Sequence, residues 1–256
     1  MPFDTDRGLL LALVGAVFAL GGLVKGMIGL GLPTIVMGGL SVVMAPAHAA
    51  ALLIVPSLLT NVWQIGGPGL MPLLRRLAPM LLGVCAGVWF GSGWLANAGG
   101  AATWPSAGLG AALVLYAVLG LLNWRPRVRR EHEPWLGPGV GLATGLITAA
   151  TGVFVIPAVP YLQALGLQKD ELVRALGISF LVATVALGTA LGRSGALPAS
   201  MALASLVALL PALLGMALGQ ALRRRVAPEP FRICFLVGLL ALGAYLVLRV
   251  LLGGRP

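Results

Sequence analysis

From Gly26 to Leu74 the chain runs 49 positions without one Asp, Glu, Lys or Arg. Residues 77–124 give 48 more such positions, and residues 134–168 another 35. A water-soluble domain does not use runs of this length, because each of its helices or strands turns a polar face to solvent. A membrane helix needs about 20 consecutive apolar residues, so each of the first two runs has room for two membrane segments. Inside hydrocarbon every backbone N–H and C=O must find a partner within the chain, and a helix satisfies them segment by segment. The runs therefore specify an all-α, polytopic helical membrane protein.

Charge placement supports this. Only 9% of the residues are charged, against about 25% in an ordinary soluble domain. The net charge of +10 raises the question of nucleic acid. The cations, however, stand in short clusters between apolar runs: Arg75-Arg76, "RPRVRR" at 125–130 and "RRR" at 223–225. That is the pattern of cytoplasmic loops, so the expected partners are a lipid bilayer and a small substrate, with no nucleic acid. The opening stretch has the length of a signal peptide. Asp4 and Asp6 in its leader make it a first membrane segment instead.

Cys85 and Cys234 lie inside apolar runs and read as small packing residues, with no disulfide framework and no metal-ligand spacing. Neither HExxH nor GxSxG occurs, and His48 and His132 are far apart in sequence. The reading is therefore of a protein that is not an enzyme and needs no cofactor or metal.

The chain repeats itself. "GLVKGMI" at 22–28 matches "GLATGLI" at 141–147, and "PMLLGVCAG" at 79–87 matches "PALLGMALG" at 211–219. The order is the same, which indicates an internal duplication. The first repeat covers 1–124 and the second 134–256, with an Arg-rich loop at 125–133 between them. Duplicated halves are a common build among secondary transporters. Each repeat reads as four segments: 8–45, 47–67, 72–96 and 101–124, then 135–166, 171–192, 196–222 and 230–252. The first segment of each is broken or re-entrant. Gly29, Gly31 and Pro33 interrupt one, and Thr148, Thr151, Gly152 and Pro157 the other.

Two topologies compete. Eight crossings starting from the cytoplasm put 10 cations inside and 6 outside. If both broken segments are hairpins that enter and leave on one side, an outside N-terminus puts 12 inside and 4 outside. The positive-inside rule favours the hairpins, with both termini outside, the 125–133 loop in the cytoplasm and the repeats inverted. Other glycines recur every four residues, at Gly22/Gly26, Gly83/Gly87/Gly91, Gly137/Gly141/Gly145, Gly188/Gly192 and Gly215/Gly219. These read as close helix packing.

Lys25 stands out. A lysine at the centre of a bilayer costs at least about 2.5–3.5 kcal/mol on insertion scales. The seven acidic residues all lie near segment ends or in loops, so Lys25 has no obvious carboxylate partner. A bound anion would supply one; a lysine snorkelling to the interface is the other reading. The breaks add to the first, since a half-helix beginning near the midplane offers free N–H groups and a positive dipole end. Gly29 and Gly31 let an anion approach the backbone there, and two such breaks, facing each other across an inverted pair, would make one central site between the repeats. Asn61 and Gln64, three apart on one helical face, read either as amide donors to an oxyanion or as interhelical hydrogen bonds. Thr148, Thr151, Ser179 and Thr184 are weaker candidates, because such hydroxyls mostly bond their own helix.

The duplicated four-segment build and "GLVKGMIGLGLP" at 22–33 resemble the TauE/SafE sulfite exporter family, also called the 4-toluene sulfonate uptake permease family. "APAHAAALLIVPSLLTNVWQ" and "TGVFVIPAVPYLQALGL" are similar to it as well, so the likeness covers nearly the whole chain. It implies transport of sulfur-containing anions such as sulfite and sulfonates across the cell (inner) membrane. Export follows from the absence of a carboxylate relay, since a negative interior drives an anion outward. A proton- or sodium-coupled importer, and a scaffold subunit without flux, stay open, as does assembly into a homo-oligomer.

Overall fold

The computed structural model describes residues 3–67, 69–96, 103–123, 127–223, 225 and 228–252. Arg125, Arg224 and Arg255 from the count of cations fall outside the described residues, as do the side chains of Asp4, Asp6 and Arg7. Ten α-helices and no strand occur among the described residues: α1 (Phe3–Ile28), α2 (Leu32–Leu40), α3 (Pro46–Ile65), α4 (Leu70–Phe90), α5 (Thr103–Leu121), α6 (Glu133–Thr151), α7 (Ala158–Ala164), α8 (Lys169–Arg193), α9 (Ala199–Arg223) and α10 (Pro228–Leu251). Seven of these, α1, α3, α4, α5, α8, α9 and α10, are long and apolar enough to cross a membrane. In α6, four glycines and three threonines dilute the apolar content.

Both long opening segments are interrupted. α1 ends at Ile28, Gly29 and Gly31 take φ of 88° and 122°, and α2 begins at once with Pro33 in its first turn. Those φ values lie where a side chain clashes with its own backbone, and proline at a helix start gives up an N–H that had no partner anyway. α6 stops at Thr151, Gly152 reverses the chain with φ 73°, and helix resumes only at Ala158. The segment expected at 72–96 ends early, at Phe90. Gly91 and Gly93 turn the chain there.

Helices from the two halves of the chain pair reciprocally: α1 with α9, α4 with α6, α3 with α8 and α5 with α10. Glycines set the first two seams. A Cβ on Gly22 or Gly26 would collide with the carbonyl of Ala212 or Met216, and one on Gly215 or Gly219 with that of Ala19 or Leu23. On the other seam Gly83 and Gly87 face Pro138 and Leu142, and Gly141 and Gly145 face Met80 and Val84, with the same backbone collisions. The stretches that match each other in sequence therefore lie along these two seams, where backbones touch. Gly188 and Gly192 depart from the pattern. Gly188 makes ordinary contact with Ile54, and nothing lies within 4 Å of a Cβ built on Gly192.

Cys85 and Cys234 are exposed on the outer faces of α4 and α10, so they are not packing residues. In lipid both the inward and the outward face of a helix are apolar, and hydropathy does not separate them.

Proline shapes α3. Pro56 has no N–H, which leaves the Leu52 carbonyl without its helical donor. Ser205 on α9 replaces it: its hydroxyl donates to Leu52 O at 2.7 Å and accepts from Val55 N at 3.1 Å. Elsewhere the Arg76 guanidinium grips both oxygens of Glu133 at 2.8 and 2.6 Å and donates to Leu165 O at 3.1 Å. It ties α4 to the start of α6 and the end of α7.

The contacts sort the chain ends. The start of α8 meets the α3–α4 turn, where Arg174 packs on Gly67 and Gly69. Arg232 at the start of α10 donates to Gly120 O near the end of α5. Val128 N bonds Ala164 O at the end of α7. The same end of the bundle holds the last turns of α1, α3 and α9 and carries most of the described cations. Arg193, over the ring of Trp89, and Arg249, on Val42 O, mark the opposite end.

Candidate functional site

The α1–α9 seam fixes the rotation of α1. With Gly22 and Gly26 against α9, Lys25 turns toward α3. Its side chain is 2% exposed. Nζ donates to Thr60 Oγ1 at 2.9 Å and to Asn61 Oδ1. Among the described residues no carboxylate pairs with it. Two of the three ammonium protons are thus held by neutral oxygens, and the positive charge has no counter-charge.

The network behind Lys25 has a single direction. Thr60 gives its own proton to Pro56 O at 2.6 Å, so only a lone pair is left for Lys25. Asn61 turns its oxygen to the ammonium and its Nδ2 to Ser57 Oγ at 3.2 Å. Ser57 lies 2.9 Å from Thr184 Oγ1, and Thr184 donates to Phe180 O at 2.6 Å. Since the Thr184 proton is used there, Ser57 is the donor to Thr184. Each hydroxyl proton in the chain from Asn61 to Phe180 has one place to go, and because an ammonium only donates, the Asn61 oxygen is fixed on Lys25.

One turn further along α3, Gln64 Nε2 donates to Gly29 O at 2.6 Å and covers a carbonyl left bare where α1 ends. Lys25, Gly26, Gly29, Trp63, Gln64, Val173, Met216, Gln220 and Arg223 line one cleft of about 500 Å³. Its outer wall belongs to the cation-rich end of the bundle. A second cleft of about 470 Å³ lies on the other side of the α1–α2 turn and shares Val173 and Arg223; Lys169, Arg232 and Tyr116 line it. The two clefts thus bring Lys25, Arg223, Lys169 and Arg232 to one region of the bundle.

Residues 13–246 match the family described as Sulfite exporter TauE/SafE, the same relationship that the motifs carry. The chain belongs to the TauE/SafE sulfite exporter family. No curated protein and no solved structure matches it. This TauE/SafE chain is therefore a multi-pass membrane protein of a transporter family, and the family's description is that of a sulfite exporter.

Three of the residues singled out by sequence, Lys25, Gly29 and Gln64, line the cleft, and a fourth, Asn61, is buried behind it on the Lys25 ammonium. Gly31 caps α2 and packs on Val24 and Phe235 instead. Thr148, Thr151 and Ser179 donate to carbonyls four residues back in their own helices. The second break lies elsewhere along α3, with Gly152 against Ala50. From Ala50 to Asn61 is about 16 Å at 1.5 Å per residue. Sequence reasoning missed Ser57 and Thr60, although their spacing of four and one from Asn61 places them on or beside its face. Arg223 carries no local signal, because it reaches the cleft from another helix.

Proposed function

We propose that this protein exports a small sulfur oxyanion, sulfite or a short sulfonate, from the cytoplasm through the Lys25 cleft. The observation that carries this is a buried ammonium with neutral hydrogen-bond partners and, among the described residues, no carboxylate, in a cleft that Arg223 also lines. An unpaired charge in a dry interior is costly, and a bound anion removes that cost. The third Lys25 N–H, which no oxygen among the described residues takes, is the donor for it.

We read the architecture as two inverted repeats of four segments, each opening with a hairpin that enters and leaves on one side. The reciprocal helix pairing and the two glycine seams support this. In the sequence match Thr144 stands where Lys25 stands in the first repeat, and its hydroxyl donates to Val140 O. The cation is therefore present once, which favours a single site belonging to the first repeat. Thr148, Thr151 and Ser179 then serve the second hairpin and its neighbour rather than the first contact with the anion.

Direction follows from charge. The cation-rich end is placed in the cytoplasm of the inner membrane by the positive-inside rule, and the cleft opens at that end. With the interior negative, moving one negative charge outward is favoured by about 2.3 kcal/mol per 100 mV. The test uses proteoliposomes loaded with sulfite, a potassium–valinomycin potential and no pH or sodium gradient. Efflux driven by a negative interior is expected. Flux that appears only with a proton or sodium gradient replaces passive export by a coupled permease, and no flux under any gradient leaves a scaffold.

A further inference from the structure

Gln64 carries one hydrogen-bonding atom that nothing in the protein answers. Its Nε2 faces the Gly29 carbonyl. A carbonyl only accepts, so the nitrogen has to be on that side and the amide cannot be reversed. Oε1, on the other side, is buried and has no donor among the described residues. Asn61, one turn earlier, uses both ends of its amide. Buried acceptors are paired in the great majority of cases, and an exception calls for an explanation.

The position supplies one. Gln64 lines the same cleft as Lys25. The residues that wall the cleft carry a cation and an acceptor in need of a donor. A bare oxyanion answers the first and opposes the second, since all its outer atoms are acceptors. An anion with an O–H or N–H of its own answers both. We propose that Gln64 Oε1 is a specificity-determining acceptor, and that the favoured substrate is a small sulfur oxyanion bearing its own hydrogen-bond donor, such as a hydroxyalkanesulfonate. This rests on the reading of Lys25 as the anion site.

A matched pair of ligands tests it: 2-hydroxyethanesulfonate and ethanesulfonate differ by one hydroxyl. Isothermal titration calorimetry on the purified full chain should give about tenfold tighter binding of the hydroxylated anion, the scale of one hydrogen bond to a buried acceptor. Gln64→Met should bring the two affinities together. The wild-type comparison stands even if that variant fails to fold. Equal wild-type affinities overturn the inference, and so does a preference that survives in Gln64→Met. If the wild-type affinities are equal and Lys25→Gln abolishes binding of both ligands, the anion site stands without the specificity. If both ligands bind Lys25→Gln as they bind wild type, or neither binds wild type, the site reading falls and the inference falls with it.

Discussion

Lys25 on α1 hydrogen-bonds Asn61 on α3, and the two buried side chains are 36 positions apart in the chain. The lysine charge is met by an amide oxygen where a carboxylate would neutralise it. Asn61→Asp should therefore act as a built-in competitor. The new carboxylate pairs with Lys25 and takes the place of a bound anion, so sulfite efflux from proteoliposomes should fall by at least about a hundredfold. The thermal midpoint should hold or rise, because an uncompensated buried charge has been paired. Undiminished efflux would mean that the anion does not use this ammonium.

Lys25→Met probes the same charge from the other side. Transport should be lost while the protein remains folded, since a methionine fills the space without an ion to desolvate. The readout is flux together with a detergent melting curve. Loss of both together would make Lys25 a structural residue.

The glycine seams predict opposite signs for one kind of substitution. Gly26→Ala or Gly145→Ala drives a Cβ into the Met216 or Val84 carbonyl and should destabilise by about 1–3 kcal/mol or more. Gly192→Ala meets open space and should be neutral or stabilising by about 0.5–1 kcal/mol through its helix preference. Denaturant or thermal unfolding in micelles separates them.

Ser205 and Pro56 should be coupled. Ser205→Ala leaves Leu52 O without a donor in a buried setting and should cost about 1–3 kcal/mol. Pro56→Ala restores the helical N–H that serves the same carbonyl. In the double variant the Ser205 substitution should cost clearly less than it does alone; strict additivity would contradict the account of the α3–α9 contact.

Orientation is checked by labelling. With Cys85 and Cys234 replaced, Arg129→Cys and Arg225→Cys should react with a membrane-impermeant reagent only from the cytoplasmic side. Arg193→Cys should react only from the opposite side. Labelling of Arg129→Cys and Arg225→Cys from different faces would rule out the hairpin topology.

What the sequence determined by itself was local in origin. Long uncharged runs can only be solvated by lipid or by each other, so membrane helices follow from composition alone. Interruption at Gly29–Pro33 and near Gly152 follows from the missing N–H of proline and the open φ of glycine. Lys25 is conspicuous because it stands inside a long apolar segment, just ahead of the glycine break, with no acidic residue near it in the chain. What only the tertiary structure decided was which groups meet. Thr60 and Asn61 reach Lys25 because the α1–α9 seam sets how α1 is rotated, and Arg223 enters the cleft from a helix nearly 200 positions further on. The outward placement of Cys85 and the open surroundings of Gly192 were equally illegible. In water, polar residues mark the outer face of a helix. In lipid the outer face is as apolar as the core, so only packing itself assigns each side chain its neighbours.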